Sequence, residues 1–330
     1  MKRDRILCAC VALTLAGCGT DGGAVADSVD DTDVAADTAS PDAVDVDDTA
    51  APVEWTTGSS GTNEDLNAVA WGDSGFVAVG RNGVIRVSET GQAWQTVLSP
   101  TGHALRGVIW DGVQYVAVGD AGTVLTSTLG DQWLVRDAAA TATSAALSGV
   151  AYADGTYVAV GDGGTILRST TQAVGWQEQT SGTSAALLAV TRGPARFVAV
   201  GAAGTALSSA DGAAWEAADP GTDYDLAAVA YWTGFFVAGG NIGLYTSPDG
   251  AAPWTQRTVD GAVGVVVTGF GGGPYQLLAV THTGDVLASP NGLDWSFEGD
   301  RLTSAVLHGV AYGGGRWVVV GQAGALFTSP

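Results

Sequence analysis

A unit of about 40 residues recurs seven times between Leu66 and Pro330, and this repetition limits the folds open to the chain. Its clearest copy, residues 187–216, has an apolar start, then Phe197-Val198-Ala199-Val200-Gly201, then Gly204-Thr205, then Ser209-Ala210-Asp211-Gly212 closed by Trp215. The seventh copy stops at Ser329-Pro330, before its Trp. The missing piece stands at the other end: Trp55 precedes Leu66 by the interval that separates Trp94 from Leu105, Trp176 from Leu187 and Trp215 from Leu226. Ser60-Gly61-Thr62 also falls where Ser181-Gly182-Thr183 falls. A repeat split between the two ends predicts a closed ring.

Within each unit three short runs read as strands, typified by residues 147–152, 157–161 and 164–169, and a fourth starts at the Trp, as at Trp176. They are rich in Val, Leu, Thr and aromatic residues with Gly or Asp between, the pattern of an antiparallel meander. No helical period follows Cys18. A four-stranded sheet with two apolar faces and open edges cannot stand alone. Packing such sheets face to face around an axis solves the problem, so the expected fold is all-β: a seven-bladed β-propeller of four-stranded antiparallel blades at residues 54–330. The segment from Trp55 to Gly58 is expected to supply the outer strand of the last blade. An open solenoid would have no use for it.

The front of the chain reads differently. Lys2, Arg3 and Arg5 precede a short apolar run, the layout of a secretory signal and too short to span a membrane. Leu15-Ala16-Gly17-Cys18 resembles the lipobox of bacterial lipoproteins. That resemblance implies cleavage before Cys18 and acylation of Cys18, with residues 1–18 as signal peptide and the membrane engaged through the lipid alone. It also implies the cell envelope, and the outer membrane more than the inner, because Gly19 and Thr20 replace the Asp of inner-membrane retention. All three cysteines lie in this segment, so disulfides and cysteine-ligated metals are not expected in the body. Residues 19–53 are mostly Asp, Ala, Val, Thr and Ser with no aromatic residue and no positive charge. Such a stretch buries too little apolar surface to offset its chain entropy and is expected to be a disordered spacer, averaging roughly 30 Å end to end. The formal charge of −21 and the absence of any Lys after Lys2 argue against nucleic acid as a partner. The chain is expected to be a monomer.

Ser-x-Asp-Gly-x-x-Trp resembles the Asp-box, or BNR repeat. It stands in full as Ser209, Asp211, Gly212 and Trp215, with close forms at Ser247, Asp249 and Trp254 and at Ser289, Asn291 and Trp295. Asp accepting backbone N–H bonds, Gly in the left-handed region and Trp over the turn make a tight hairpin, so these residues are expected to be structural. At the level of the repeat, residues 54–330 are similar to Asp-box propellers of the photosystem II assembly factor type. Sialidases, some glycoside hydrolases and sortilin-type receptors share the box, so the resemblance implies a fold and not one activity.

In a propeller the turns between second and third strands open on the same end as the starts of the innermost strands. The first set holds Arg81, Asn82, Asp120, Asp162, Asn241, His282 and Gln322. The second holds Asn67, Arg106, Ser148 and His308, with Leu188 and Ala227 in two further blades. All are expected around the mouth of the central channel as a ligand-binding rim. A sialidase would need an arginine cluster and an Arg-Ile-Pro motif; only Arg81 and Arg106 suit the first, and the second is absent. Asp120 and Asp162 occupy equivalent turns of adjacent blades and are the pair a glycoside hydrolase would use, although Gly-Asp-x-Gly is also good turn chemistry. His282 and His308 lie in neighbouring blades without a carboxylate at metal-ligand spacing. No catalytic residue, metal or cofactor is assigned. The expected function is a lipid-anchored, surface-displayed binding or scaffolding module for an envelope protein or a glycan. A glycoside hydrolase or a membrane-protein assembly factor are the alternatives.

Overall fold

The computed structural model describes residues 53–136, 143–262 and 264–329. Cys18 and residues 19–52 of the acidic segment lie outside the described residues. The remainder forms seven four-stranded antiparallel sheets, the predicted seven-bladed propeller. Blades 1 to 6 span residues 66–97, 105–135, 147–179, 187–217, 226–257 and 267–297. Blade 7 takes three strands from residues 307–328 and its fourth, Thr56–Thr57, from the other end of the chain. Thr56 pairs with Thr328 and Thr57 with Phe327, and the next amide, Gly58 N, donates to Leu326 O at 2.9 Å. The predicted seam is therefore real. Ser60 repeats the role of Ser181, its hydroxyl reaching the carbonyl two residues on, and it also donates to Gly324 O of blade 7 at 2.7 Å.

Blade stacking supplies the core. Each second strand is buried on both faces, because alternate residues serve opposite neighbours: Phe76 and Ala78 pack with Val318 and Val320 of blade 7, while Val77 and Val79 pack with Leu105 and Tyr115 of blade 2. Among the described residues there are seven apolar clusters, and each joins two adjacent blades. At roughly 25 cal/mol per Å² of apolar area removed from water, this interleaving is the main stabilising term. The glycine ending most second strands has a steric cause. A Cβ on Gly80, Gly119, Gly161, Gly201, Gly240 or Gly321 would overlap the carbonyl of the residue before the innermost strand.

The Asp-boxes lie between third and fourth strands, at the end of the blades opposite the predicted mouth. In the full copy, Gly212 N donates to Ser209 Oγ at 2.8 Å, and Ala213 and Ala214 donate to Asp211 Oδ1. Those two amides, with the Ser209 hydroxyl, hold the Asp211 carboxyl below its ordinary range, and the Ala251 amide does the same for Asp249. Asp211 is thus committed to its turn. Gly212 has φ of 76°, and a Cβ there would come within 2.7 Å of Val158 in the preceding blade. The hairpin is a contact between blades as well as a turn.

The box Trp residues are not equivalent. Trp295 is 2% exposed and its indole donates to Gly292 O, whereas Trp215, the Trp of the best-matching box, is only half-buried. A box motif fixes the turn; the depth of the Trp depends on the neighbouring loop, and Val259 bridges to Trp295. Trp254 Nε1 and Trp55 Nε1 are buried without a hydrogen-bond partner among the described residues. In urea unfolding, Trp295→Ala is expected to cost about 3–5 kcal/mol and Trp215→Ala less than about 2 kcal/mol. Equal losses would show that box membership, not burial, sets the energy. Deleting residues 53–58 removes the packing of the half-buried Trp55 on its cluster and opens a sheet edge, so the melting temperature is expected to fall by roughly 5–10 °C. An unchanged melting temperature would show that the seam contributes nothing.

Candidate functional site

Where each innermost strand begins, the ladder slips by one residue. In blade 1, Leu66 faces Gly80 and Ala68 faces Val79, so Asn67 has no partner and forms a β-bulge. The same slip follows Leu105, Leu147, Leu187, Leu226, Val267 and Leu307. A bulge re-aims a side chain that the pleat would otherwise send into the stack. The bulged residues are Asn67, Arg106, Ser148, Leu188, Ala227, Thr268 and His308, and they line a central funnel of about 270 Å³.

The funnel has three tiers, each using one residue per blade. Below the bulge ring comes a collar of Ala or Gly, from Ala68 to Gly309, and then Val in every blade except the sixth, which carries Phe270. Small residues in the collar follow from close approach: a Cβ on Gly309 would lie 3.2 Å from Ala68 Cα, and one on Gly149 would lie 3.3 Å from Ala189 Cα. The lower tiers are dictated by packing. Only the bulge ring varies in chemistry.

The turns between second and third strands reach the same end. In all seven blades the first residue of that turn donates its amide to the carbonyl just before the innermost strand, as in Arg81 to Asp65, Asp120 to Ala104, Asp162 to Ala146, Asn241 to Asp225, His282 to Val266 and Gln322 to Val306. This fixes the predicted turn residues beside the predicted ring residues. Thr268 was not foreseen. It sits one residue after Val267 in the same repeat frame, and that alignment was the available signal.

Several of these side chains already have partners. Asn67 Nδ2 donates to Leu105 O of blade 2 at 2.8 Å, and Thr268 Oγ1 lies 2.5 Å from Leu307 O of blade 7, so both tie innermost strands together. Asn82 donates to Glu64 at 3.0 Å, and Asn241 lies 3.4 Å from Asp225. Arg106 Nε donates to Asp120 Oδ1 at 2.6 Å in a pair open to water. Asp120 is therefore engaged by a cation of its own blade. Asp162 and Gln322 are exposed. Arg81 is exposed and has no ion-pair partner among the described residues.

Among the described residues, Ser148 Oγ is buried without a partner and no hydrogen bond engages the His308 ring. Burial holds His308 below the ordinary histidine range, partly opposed by Asp65 and reinforced by His282. Among the described residues, no three His, Cys, Asp or Glu side chains gather as metal ligands. His103, also at this end, has its Nδ1 3.1 Å from Thr123 Oγ1, and the Thr123 hydroxyl donates to Asp120 O at 2.6 Å.

Because folding lowers the affinity of His308 for a proton, the unfolded chain binds protons more readily and stability falls as pH drops below about 6.5. The melting temperature of His308→Gln is accordingly expected to fall less between pH 7.5 and 5 than that of the unaltered chain. Parallel curves would show that His308 titrates alike in both states.

Solved structures share this architecture at low identity. YCF48 from Cyanidioschyzon merolae superposes with a TM-score of 0.67 at 17% identity, over 83% of this chain and 98% of that one. YCF48 bound to a D1 peptide gives 0.65 at 17%, over 83% and 96%. The WD40 repeats of RRP9 give 0.65 at 12%, over 84% and 99%. No protein-family model matches the chain, and no curated protein sequence does. The likeness is one of fold: an all-β, seven-bladed propeller similar in structure to YCF48 and to WD40 propellers.

Proposed function

We propose that this chain is a lipid-anchored binding module displayed on the bacterial cell envelope, at the outer membrane, whose funnel mouth takes a segment of an envelope protein. The observation that carries the reading is the bulge ring. Seven equivalent backbone distortions aim seven side chains into one bowl, and the residue type varies there while the tiers below stay Ala or Gly and then, in six blades, Val. A bulge leaves a residue unpaired, and a repeat that kept it only for packing would settle on one residue type. Among the described residues, Ser148, with a buried hydroxyl and no partner, and His308, with an unengaged ring, are ring groups free to meet a ligand.

A protein partner is favoured over a sugar by the structural neighbour solved with a D1 peptide bound. The lipobox at Cys18 supports the anchor, and the acidic residues 19–53 support a spacer that lifts the propeller from the lipid. Scaffolding of a membrane-protein client belongs to the same reading.

Full-length protein and an Arg106→Ala/His308→Ala variant are to be used as bait on detergent-solubilised envelopes, with Glu178→Gln on an outer strand as the control. A defined envelope protein retained by the unaltered chain and by Glu178→Gln, but reduced at least about tenfold by the mouth variant, is expected. Equal recovery by all three would place the partner elsewhere and end the mouth reading. Polysaccharide recovered without protein would replace the protein partner by a glycan.

A further inference from the structure

The rim is not uniform around its circumference. From blade 6 through blade 3 the bulge residues are polar, running Thr268, His308, Asn67, Arg106 and Ser148. Blades 4 and 5, which are adjacent, contribute Leu188 and Ala227 instead. The loop and turn of blade 5 extend this arc outward with Tyr224, 50% exposed, and Ile242, 37% exposed. Both belong to the segments that lead into and fold over the innermost strand of blade 5, where Asn241 N donates to Asp225 O, whereas Leu98, also exposed at this end, lies on the loop entering blade 2, away from this arc.

Charge is also distributed to one sign. Arg106 is cancelled by Asp120 and Arg301 by Asp285. In the second-to-third-strand turns and the residues just before the innermost strands, Arg81 then stands against Glu64, Asp65, Asp162, Asp223 and Asp225, while Arg136 and Arg257, at the ends of fourth strands, bond Thr126 and Thr246. Asp162 and Asp223 are exposed and have no ion-pair partner among the described residues. They flank the apolar arc, one on blade 3 and one on the loop entering blade 5. The whole chain carries a formal charge of −21, so its long-range field has the same sign as its rim.

We propose that the segment bound at the mouth is a basic peptide that sets one large apolar side chain on the arc of Leu188, Ala227, Tyr224 and Ile242 while its Lys or Arg residues face Asp162 and Asp223. This rests on the mouth being the partner site and adds the chemistry of the occupant. Apolar contact supplies the anchor, and the carboxylates steer the approach and reject acidic segments.

The test is selection of an mRNA-displayed library of random decapeptides on the immobilised full chain, followed by fluorescence polarisation of the most enriched peptide. Enrichment of Lys or Arg together with Leu, Ile, Phe or Trp is expected. Binding of that peptide should weaken about tenfold in Tyr224→Ser/Ile242→Ser, a change at exposed positions that leaves the fold intact by its melting curve. It should weaken about fivefold in Asp162→Asn/Asp223→Asn, and similarly when salt is raised from about 50 to about 500 mM. Enrichment of Asp and Glu, enrichment without an apolar residue, or no enrichment would each overturn the proposal. The envelope pull-down separates this failure from that of the mouth reading: a mouth-dependent partner with an acidic library winner sinks the occupant alone, whereas mouth-independent recovery sinks both.

Discussion

A small antiparallel sheet with apolar residues on both faces can be kept dry only between two others. In this chain every second strand meets that condition, since alternate side chains enter clusters shared with the blade on either side. Ring closure is the consequence, because any first or last blade would expose one apolar face. The split blade answers the same demand. Its outer strand comes from the opposite end of the sequence and brings Trp55 into the cluster that contains Phe327.

Close packing at the axis then decides what the funnel can be. Innermost strands approach one another so tightly that the collar admits only Ala and Gly, and the tier beneath is almost uniformly Val. Chemistry is left to the bulge, the one position where the backbone departs from the ladder. Even there the fold claims a share: Asn67 and Thr268 are occupied in tying neighbouring blades, and Asp65 and Asp225 accept the amides of Ala323 and Ala203 in the adjacent turns. The side chains with free capacity are fewer than the polar residues on the rim.

Much of this was legible in the residues. The repeat gave the blade count, the displaced Trp55 gave the seam, and the Val-Gly and Ser-x-Asp-Gly pairs marked the strand ends. The position after each apolar anchor could be read off the repeat for Asn67, Arg106, Ser148 and His308, which line the funnel. The bulge itself was not legible, because a slip of register depends on which residues face each other across two strands. Without it nothing distinguishes a ring residue from an ordinary turn residue, and Thr268, set among valines, passes for part of a strand. The depth of the box Trp was hidden for a similar reason: Trp215 has the complete motif yet is half-buried, while Trp295 is bridged by Val259 from a loop distant in sequence.

The seam also has a mechanical meaning. Running inward from residue 53, the chain is fastened first by Val53 N to Glu298 Oε1, then by the two ladder pairs of Thr56 and Thr57, then by Gly58, Ser60 and finally the Asp65 carboxylate. A pull on the segment that precedes residue 53 is delivered to these links before it reaches any other blade. The joint loaded first from that side is the one whose two halves are far apart in sequence.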